Sequence, residues 1–382
     1  MAVSSPPVRH IAHVLFRFDT GGLENGVVNL VNQLPEQGYR HSIITQKGLN
    51  PEFAKRVTAN NVDYHDLNKA DGNDFGMYLR LNRLLKRLRP DILHTRNLAT
   101  LECQVVGWWR RIPLRIHGEH GWDVSDIGGT NTKYQRLRRM IKPFVNQYVA
   151  LSGEARDYLI QKVKVPEQRI HPICNGVDMN RFVNPPAPVS PFPEAQFPPL
   201  AVVFGTVGRL AEVKDQATLI DAFGLLCARF PQHSLRLLLV GDGPMREMLE
   251  QRAKEKNVED KIWFAGDRAD VPALMSKMQV FVLPSLAEGI SNTFLEAMAC
   301  GLPVIATRVG GNPDLMLPAH RHSHLIEVRD SQSLMQAMSR YLDKPEAIAE
   351  DSEQVRKHCQ SHFSLANMVA KYHQLYQSQT AQ

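Results

Sequence analysis

A chain of 382 residues is long enough for two domains of ordinary size. With 43% hydrophobic and 22% charged residues it is too apolar for disorder, and a formal charge of +6 favours anionic partners only where it is concentrated. Its five cysteines, Cys103, Cys174, Cys227, Cys300 and Cys359, are widely spaced and form no Cys-x-x-Cys pair, which argues against a disulfide frame and fits a reducing compartment. The opening MAVSSPPVRH lacks the layout of a secretory leader, and no run of about 18 apolar residues occurs. The expectation is a cytoplasmic chain without a membrane span.

The first half alternates short apolar runs with amphipathic stretches. HIAHVLF (10–16) reads as a buried strand, and Asp19-Thr20-Gly21-Gly22 as a tight loop. Residues 23–34 read as a helix with Leu23, Val27, Leu30, Val31 and Leu34 on one face. HSIITQ (41–46), DILHTR (91–96), LRIHGEH (114–120) and QYVALS (147–152) continue the strand pattern. Strands alternating with helices predict βαβ units on a mostly parallel sheet. Prolines recur through VNPPAPVSPFPEAQFPP (183–199), which sustains neither helix nor central strand and reads as a linker.

The alternation then restarts with AVVFGTVG (201–208), LRLLLVGDG (235–243), KIWFAG (261–266), QVFVLPS (279–285) and LPVIATRVGG (302–311). Helices are expected at 217–230 and 292–300. The prediction is an α/β chain of two doubly wound Rossmann-like domains facing across a cleft. Residues 1–182 form the first, 183–199 the linker and 200–360 the second. A last helical stretch in 361–382 is expected to cross back to the first. Ligands of such sheets sit at the carboxyl ends of the strands.

Four strings carry chemistry. In PSLAEGISNTFLEAMACGLPVIAT, the loop Glu288-Gly289-Ile290-Ser291 leads into a helix beginning near Asn292. A helix start with its positive dipole end suits a pyrophosphate. Glu296, about one turn in, is placed to accept ribose hydroxyls, and Glu288 to face a sugar ring. In VGRLAEVK, Arg209 and Lys214 share one strand-end loop and suit a diphosphate. In Asp19–Glu24, paired Gly21 and Gly22 permit close backbone approach, yet the string is neither Gly-x-Gly-x-x-Gly nor a Walker loop. In HGEHGWD (117–123), His120 is assigned a polar role at the ligand and His117 a structural one. The spacing departs from His-Glu-x-x-His, so no metal is expected there.

Together these strings resemble glycosyltransferase family 4, of GT-B fold; GDGPM and NGVDMNRF (175–182) also match its patterns. GGLEN with HGEHGWD is similar to the exopolysaccharide-locus sugar transferases. The resemblance implies retaining transfer of a hexose from a UDP or GDP sugar to a glycan or lipid-linked acceptor, in polysaccharide biosynthesis. It places Arg209 and Lys214 on the donor diphosphate, Glu296 on ribose, and Glu288 with the backbone of Gly289, Ile290, Ser291 and Asn292 on the hexose. It also places His120 toward the donor sugar, Gly21 and Gly22 toward phosphate or acceptor, and Arg268 beside the base. Ile290-Ser291-Asn292-Thr293 departs from the usual pattern, which bears on hexose identity. A nucleotide-sugar epimerase of the same fold and a non-enzymic nucleotide or glycan binder share parts of this pattern. With cations and a helix start in place and no Asp-x-Asp sequence, neither cofactor nor metal is expected.

YLRLNRLLKRLR (78–89) and KYQRLRRMIK (133–142) each divide into an apolar and a basic face, and Trp108-Trp109-Arg110-Arg111 adds rings and charge. Such stretches pack leucines inward and charges outward, or dock on acidic lipid at the inner face of the cell membrane. No nucleic-acid recognition module is present, so no nucleic-acid partner is expected.

Overall fold

The computed structural model of the chain describes residues 8–36, 38–121, 126–183, 185, 192–193 and 196–378. They fall into two compact units, one running to Gly176 and resuming at Leu365, the other spanning Val177–Ser364. The division therefore lies before the proline-rich stretch. The Val177 N–H bonds the Phe363 carbonyl, and the helix Met179–Val183 packs on the helix Asn292–Cys300, so both belong to the second unit. Most of 183–199, with Trp122 and Asp123 of the HGEHGWD string, lies outside the described residues.

The first unit is a seven-stranded parallel sheet in the order β3-β2-β1-β4-β5-β6-β7. The strands are β1 (Arg9–Leu15), β2 (Tyr39–Thr45), β3 (Val62–Asp66), β4 (Ile92–Arg96), β5 (Leu114–Glu119), β6 (Gln147–Ala150) and β7 (Ile170–Pro172). Central strands are buried on both faces, and in β1 and β4 this takes His13, His94, Thr95 and Arg96 into the interior along with the apolar residues. On one face Ala12, Val14, Ile44 and Leu93 meet Met77, Leu81, Leu84 and Leu85 of the helix Phe75–Leu88. The leucine face of that helix is thus core, and what it shows to solvent is its basic side together with Phe75 and Leu79. On the other face Leu15, Ile43 and Phe18 receive Val27, Val28 and Val31 of the helix Gly22–Gln33.

The last helix, Leu365–Gln377, belongs to this unit. Polar anchors fix it: Tyr376 Oη lies 2.8 Å from His94 Nδ1, and His373 Nδ1 lies 2.9 Å from Tyr39 Oη.

The second unit is a six-stranded parallel sheet in the order β10-β9-β8-β11-β12-β13. Its strands are β8 (Val202–Val207), β9 (Leu235–Val240), β10 (Ile262–Gly266), β11 (Val280–Leu283), β12 (Val304–Thr307) and β13 (Leu325–Ile326). The helices Gln216–Arg229 and Ser331–Asp343 cover one face through Leu219, Phe223, Leu226, Met338 and Tyr341, all fully buried. Among the described residues no helix is long and apolar enough to cross a membrane.

In both sheets the strand order reverses direction of growth at one point, between β1 and β4 and between β8 and β11. At such a point neighbouring loops turn opposite ways and leave a crevice at the carboxyl end of the sheet.

Candidate functional site

In the second unit the loop after β8 carries Arg209 and Lys214, and the loop after β11 carries Glu288 to Ser291. They flank the reversal point. Lys214 Nζ lies 2.6 Å from Glu288 Oε1, and Ser285 Oγ donates to the same oxygen at 2.6 Å. The Glu288 side chain is only 8% exposed, so its charge is held by a lysine and a hydroxyl. Arg209 is exposed and makes no ion pair with any described residue. The first loop is tied to the second through the Leu286 N–H and the Val213 carbonyl, 2.8 Å apart.

Close backbone packing positions both loops. Gly241, with φ +133°, passes so near the first loop that a methyl there would stand 2.1 Å from the Gly208 carbonyl oxygen. One on Gly243 would stand 2.3 Å from the Leu210 oxygen. This explains the glycines of GDGPM: they let the β9 loop underpin the Arg209 loop. Gly310, with φ +52°, does the same for the second loop, where a methyl would lie 1.8 Å from the Glu288 oxygen. The Gly311 N–H then donates to the Gly289 carbonyl at 2.8 Å. Gly310 and Gly311 were read from sequence only as the end of a strand string, although a paired glycine after a strand is the signal that marks them.

The helix Asn292–Cys300 starts where that loop ends. Ser291 is buried and caps it, its Oγ accepting from the Phe294 N–H at 3.3 Å. The cap brings the positive end of the helix dipole to the strand ends, with Ile290 against Gly311, and Glu296 half-buried one turn further on.

Arg268 lies in the loop after β10. Its guanidinium grips Asp270 through two bonds of 2.7 Å and lies over the Trp263 ring. The Asp270 side chain is 3% exposed, so this pair fastens the β10 loop to the helix that follows.

In the first unit Gly21, Gly22 and His120 all lie at carboxyl ends of strands. Gly21 is the N-cap of the helix Gly22–Gln33, and the Glu24 carboxylate folds back over it. Burial raises the Glu24 pKa. His120 follows β5; its backbone N–H donates to Asn97 Oδ1 at 2.8 Å, and its ring lies over Gly118, where a methyl would meet Nε2 at 2.4 Å. Asn97 itself takes φ +59° and ψ 169° at the reversal point, a strained setting for any residue but glycine. Desolvation, then the nearby Arg96 charge, pushes the His120 imidazole well below its usual range, so it is neutral.

Sequence reasoning missed Arg96 altogether. Its guanidinium is 3% exposed and bonds the Nδ1 atoms of His13 and His94 at 3.2–3.3 Å. His13 Nε2 in turn lies 3.1 Å from His41 Nδ1. His117 is fully buried against Thr95, its Nδ1 2.8 Å from Oγ1. Glu119 beside it is claimed by Arg138, at 2.6 and 3.1 Å, which withdraws Arg138 from the basic face of the helix Thr132–Ile141.

Residues 20–181 match the family model "Glycosyltransferase Family 4", and residues 201–344 match "Glycosyl transferases group 1". The chain is 26% identical over 312 residues to the UDP-Gal:alpha-D-GlcNAc-diphosphoundecaprenol alpha-1,3-galactosyltransferase of Escherichia coli, covering 79% of each chain. It is 24% identical over 378 residues to the N-acetyl-alpha-D-glucosaminyl L-malate synthase of Bacillus anthracis, covering 92% of this chain and 93% of that one. In structure it is similar to Anabaena HepE, crystallised with UDP, at a TM-score of 0.79 and 18% identity over 96% of this chain and 99% of the other. One domain model falls on each unit and the two together span most of the chain, which therefore belongs to the glycosyltransferases of GT-B fold, a family 4 domain followed by a group 1 domain.

Proposed function

We propose that this protein transfers a hexose from a UDP-sugar, with retention of configuration and without a metal ion in the transfer, to a lipid-linked or glycan acceptor in polysaccharide assembly. The observation that carries the reading is the Lys214–Glu288 pair at the reversal point of the second sheet, with Arg209 in the same loop and a capped helix start beside it. A nucleoside diphosphate leaves readily once its growing charge is met by preorganised cations and a helix dipole. Arg209 supplies a planar fork and Lys214 a point charge, so the residues present meet that need themselves. Glu296 serves the ribose, and Glu288 with the loop to Asn292 serves the hexose. UDP is preferred over GDP because the E. coli relative uses UDP-Gal and HepE binds UDP.

In the retaining route the acceptor hydroxyl approaches the anomeric carbon on the face that UDP leaves. The carbon–phosphate oxygen bond breaks as the carbon–acceptor oxygen bond forms, and the acceptor proton passes to the departing phosphate oxygen. In this reading the second unit holds the nucleotide, and Gly21, Gly22 and His120 of the first unit serve the sugar and acceptor. His120 is neutral and so orients the sugar by hydrogen bonding without adding positive charge beside the carbon where positive charge develops.

The first unit also carries the features of a lipid-facing surface. The helix Phe75–Leu88 packs beside the helix Cys103–Trp109, which packs beside the turn Lys142–Phe144. Phe75, Leu79, Trp108, Trp109 and Met140 are exposed there among arginines and lysines. Rings and cations on one face suit an acidic bilayer, where a lipid-linked acceptor would reside.

The test is thermal shift with UDP, GDP and ADP, followed by anomeric proton NMR of the product formed with and without chelator. Selective stabilisation by UDP and an α-linked product from an α-linked donor are expected. Inversion, or activity abolished by chelator and restored by Mg²⁺, would overturn the mechanism.

A further inference from the structure

Far along the second unit the sequence reads His320-Arg321-His322-Ser323-His324, an alternation with no part in the donor site. The structure folds its two outer histidines inward. Their rings stack with centroids 4.5 Å apart and planes 21° from parallel. Both turn Nε2 toward one carboxylate: His320 Nε2 is 3.1 Å from Asp351 Oδ1, and His324 Nε2 is 3.8 Å from Asp351 Oδ2. Tyr341 Oη stands 2.5 Å from His324 Nε2 and 3.0 Å from Asp351 Oδ2. His320, His324 and Asp351 are 5%, 0% and 3% exposed, and one ligand atom from each lies within 4.8 Å of the others.

We propose that His320, His324 and Asp351 form a structural site for a divalent transition-metal ion of the zinc class, with the Tyr341 hydroxyl or a water at the fourth position. A tetrahedral ion with ligands at ~2.0–2.1 Å sets its donor atoms ~3.3–3.4 Å apart; one donor atom from each of the three residues already lies within 4.8 Å of the others and must draw in to that spacing, with Tyr341 Oη moving off His324 Nε2 if it is to be the fourth ligand. Two imidazoles and one carboxylate select zinc, cobalt or nickel over magnesium and calcium, which prefer oxygen cages. Ser323 Oγ, 2.7 Å from His324 Nδ1, accepts the proton of the tautomer that leaves Nε2 open, an orienting contact typical of metal-bound histidine. Loading moves each imidazole proton to Nδ1: Ser323 receives that of His324, and a water would have to receive that of His320, whose Nδ1 is buried with no hydrogen-bond partner among the described residues.

The three ligands come from the turn before β13 and from the helix Glu346–Phe363, and Tyr341 from the helix Ser331–Asp343, so the ion would clamp these elements together. A cavity of about 400 Å³ lined by His322, Ser323, Gln336 and Arg340 lies beside the cluster and gives an approach. Arg340, 3.4 Å from Asp351 Oδ2 and 39% exposed at its side chain, balances the carboxylate without the ion and can turn to the cavity when the ion takes over. None of these residues belongs to the loops around Arg209 and Glu288.

The test strips the full-length protein of metal, then titrates it with Co²⁺ and separately with Zn²⁺. One Co²⁺ per chain with the intense visible absorption of a tetrahedral site is expected. Zn²⁺ at a hundredfold excess over its Kd should raise Tm by about 5 °C. His324→Gln and His320→Gln, each keeping a polar group at the position, should lose both signals while UDP still stabilises them. Absence of the Co²⁺ band and of the Zn²⁺ shift in the wild-type chain would overturn the proposal. So would retention of both signals in the two variants, which would place the ion elsewhere.

Discussion

If Lys214 serves the donor phosphates as proposed, Glu288 already neutralises that cation, and the two side chains should respond to substitution with opposite signs. With its side chain 8% exposed and Lys214 at 2.6 Å, the carboxylate holds one of the lysine's donors in place. Glu288→Gln keeps the shape and the Ser285 contact but releases the lysine charge toward phosphate. A charged hydrogen bond has a net worth of about 1.5–3 kcal/mol, and part of this returns to the ligand. UDP should therefore bind about threefold to tenfold more tightly to Glu288→Gln, while transfer, which uses Glu288 on the hexose, falls. Lys214→Met should do the reverse, weakening UDP at least about tenfold, near 1.4 kcal/mol, because the phosphate loses a cation and faces an uncompensated carboxylate. Calorimetric titration of UDP into both single variants and the double variant closes a thermodynamic cycle. Non-additivity of about 1 kcal/mol or more is expected; effects that add within about 0.5 kcal/mol would show that the two side chains act on the ligand independently and would refute the coupling.

Arg209→Ala should slow transfer by ~10²–10³-fold, the range for loss of one charge-stabilising donor, and an unchanged kcat/KM would remove Arg209 from the site. Gly310→Ala forces a methyl against the Glu288 carbonyl at a left-handed φ, so donor binding should drop more than about tenfold with the fold intact by circular dichroism; unaltered UDP affinity would contradict the role given to that glycine. Acid should weaken the first unit: burial holds His41 at about 4 and His13 and His94 well below ~6.5, so the unfolded chain binds protons the native one excludes. Stability is then complete above ~6.5 and lost as pH falls toward 4, about 3 kcal/mol from His41 alone, and urea midpoints at pH 7.5 and 4.5 should differ accordingly. Trp109→Ser with Phe75→Ser should reduce co-sedimentation with acidic vesicles at low salt without altering Tm, whereas equal binding would return the patch to ordinary solvated surface.

Sequence pattern revealed the interior of both sheets because central parallel strands are buried on two faces and announce themselves as apolar runs. It lost the edges. β3 (Val62–Asp66) reads VDYHD, β7 has three residues and β13 two, and an edge strand pairs on one side only, so little periodicity is imposed on it. The helix Asn292–Cys300 was legible to the residue because Ser291 precedes it and Gly301 ends it in the left-handed conformation. The placement of Arg209, Lys214 and Glu288 at strand ends was also legible. The bond between Lys214 and Glu288 was not, since it joins loops 74 residues apart that only the strand order β8-β11 makes neighbours.

The cations show most clearly where sequence stops. Arg138, Arg209, Lys214 and Arg268 look alike on paper, yet three of them each hold a different carboxylate and Arg209 holds none among the described residues. Arg138 is 4% exposed and held by both oxygens of Glu119, whose carboxyl burial alone would raise but which Arg138 brings to about 2. Arg268 is held by both oxygens of the buried Asp270. Opening either pair gives up two charge-assisted hydrogen bonds, each with a net worth of about 1.5–3 kcal/mol, so both guanidiniums are held in place. Lys214 is intermediate: its partner Glu288 is fixed, but the ammonium keeps further donors and is 26% exposed. Arg209 alone of the four has no carboxylate to leave. Under the proposed function, a diphosphate arriving at the end of β8 would meet an exposed guanidinium first and a lysine it must share with Glu288 second, so Arg209→Ala should cost more affinity than the loss of Lys214 alone.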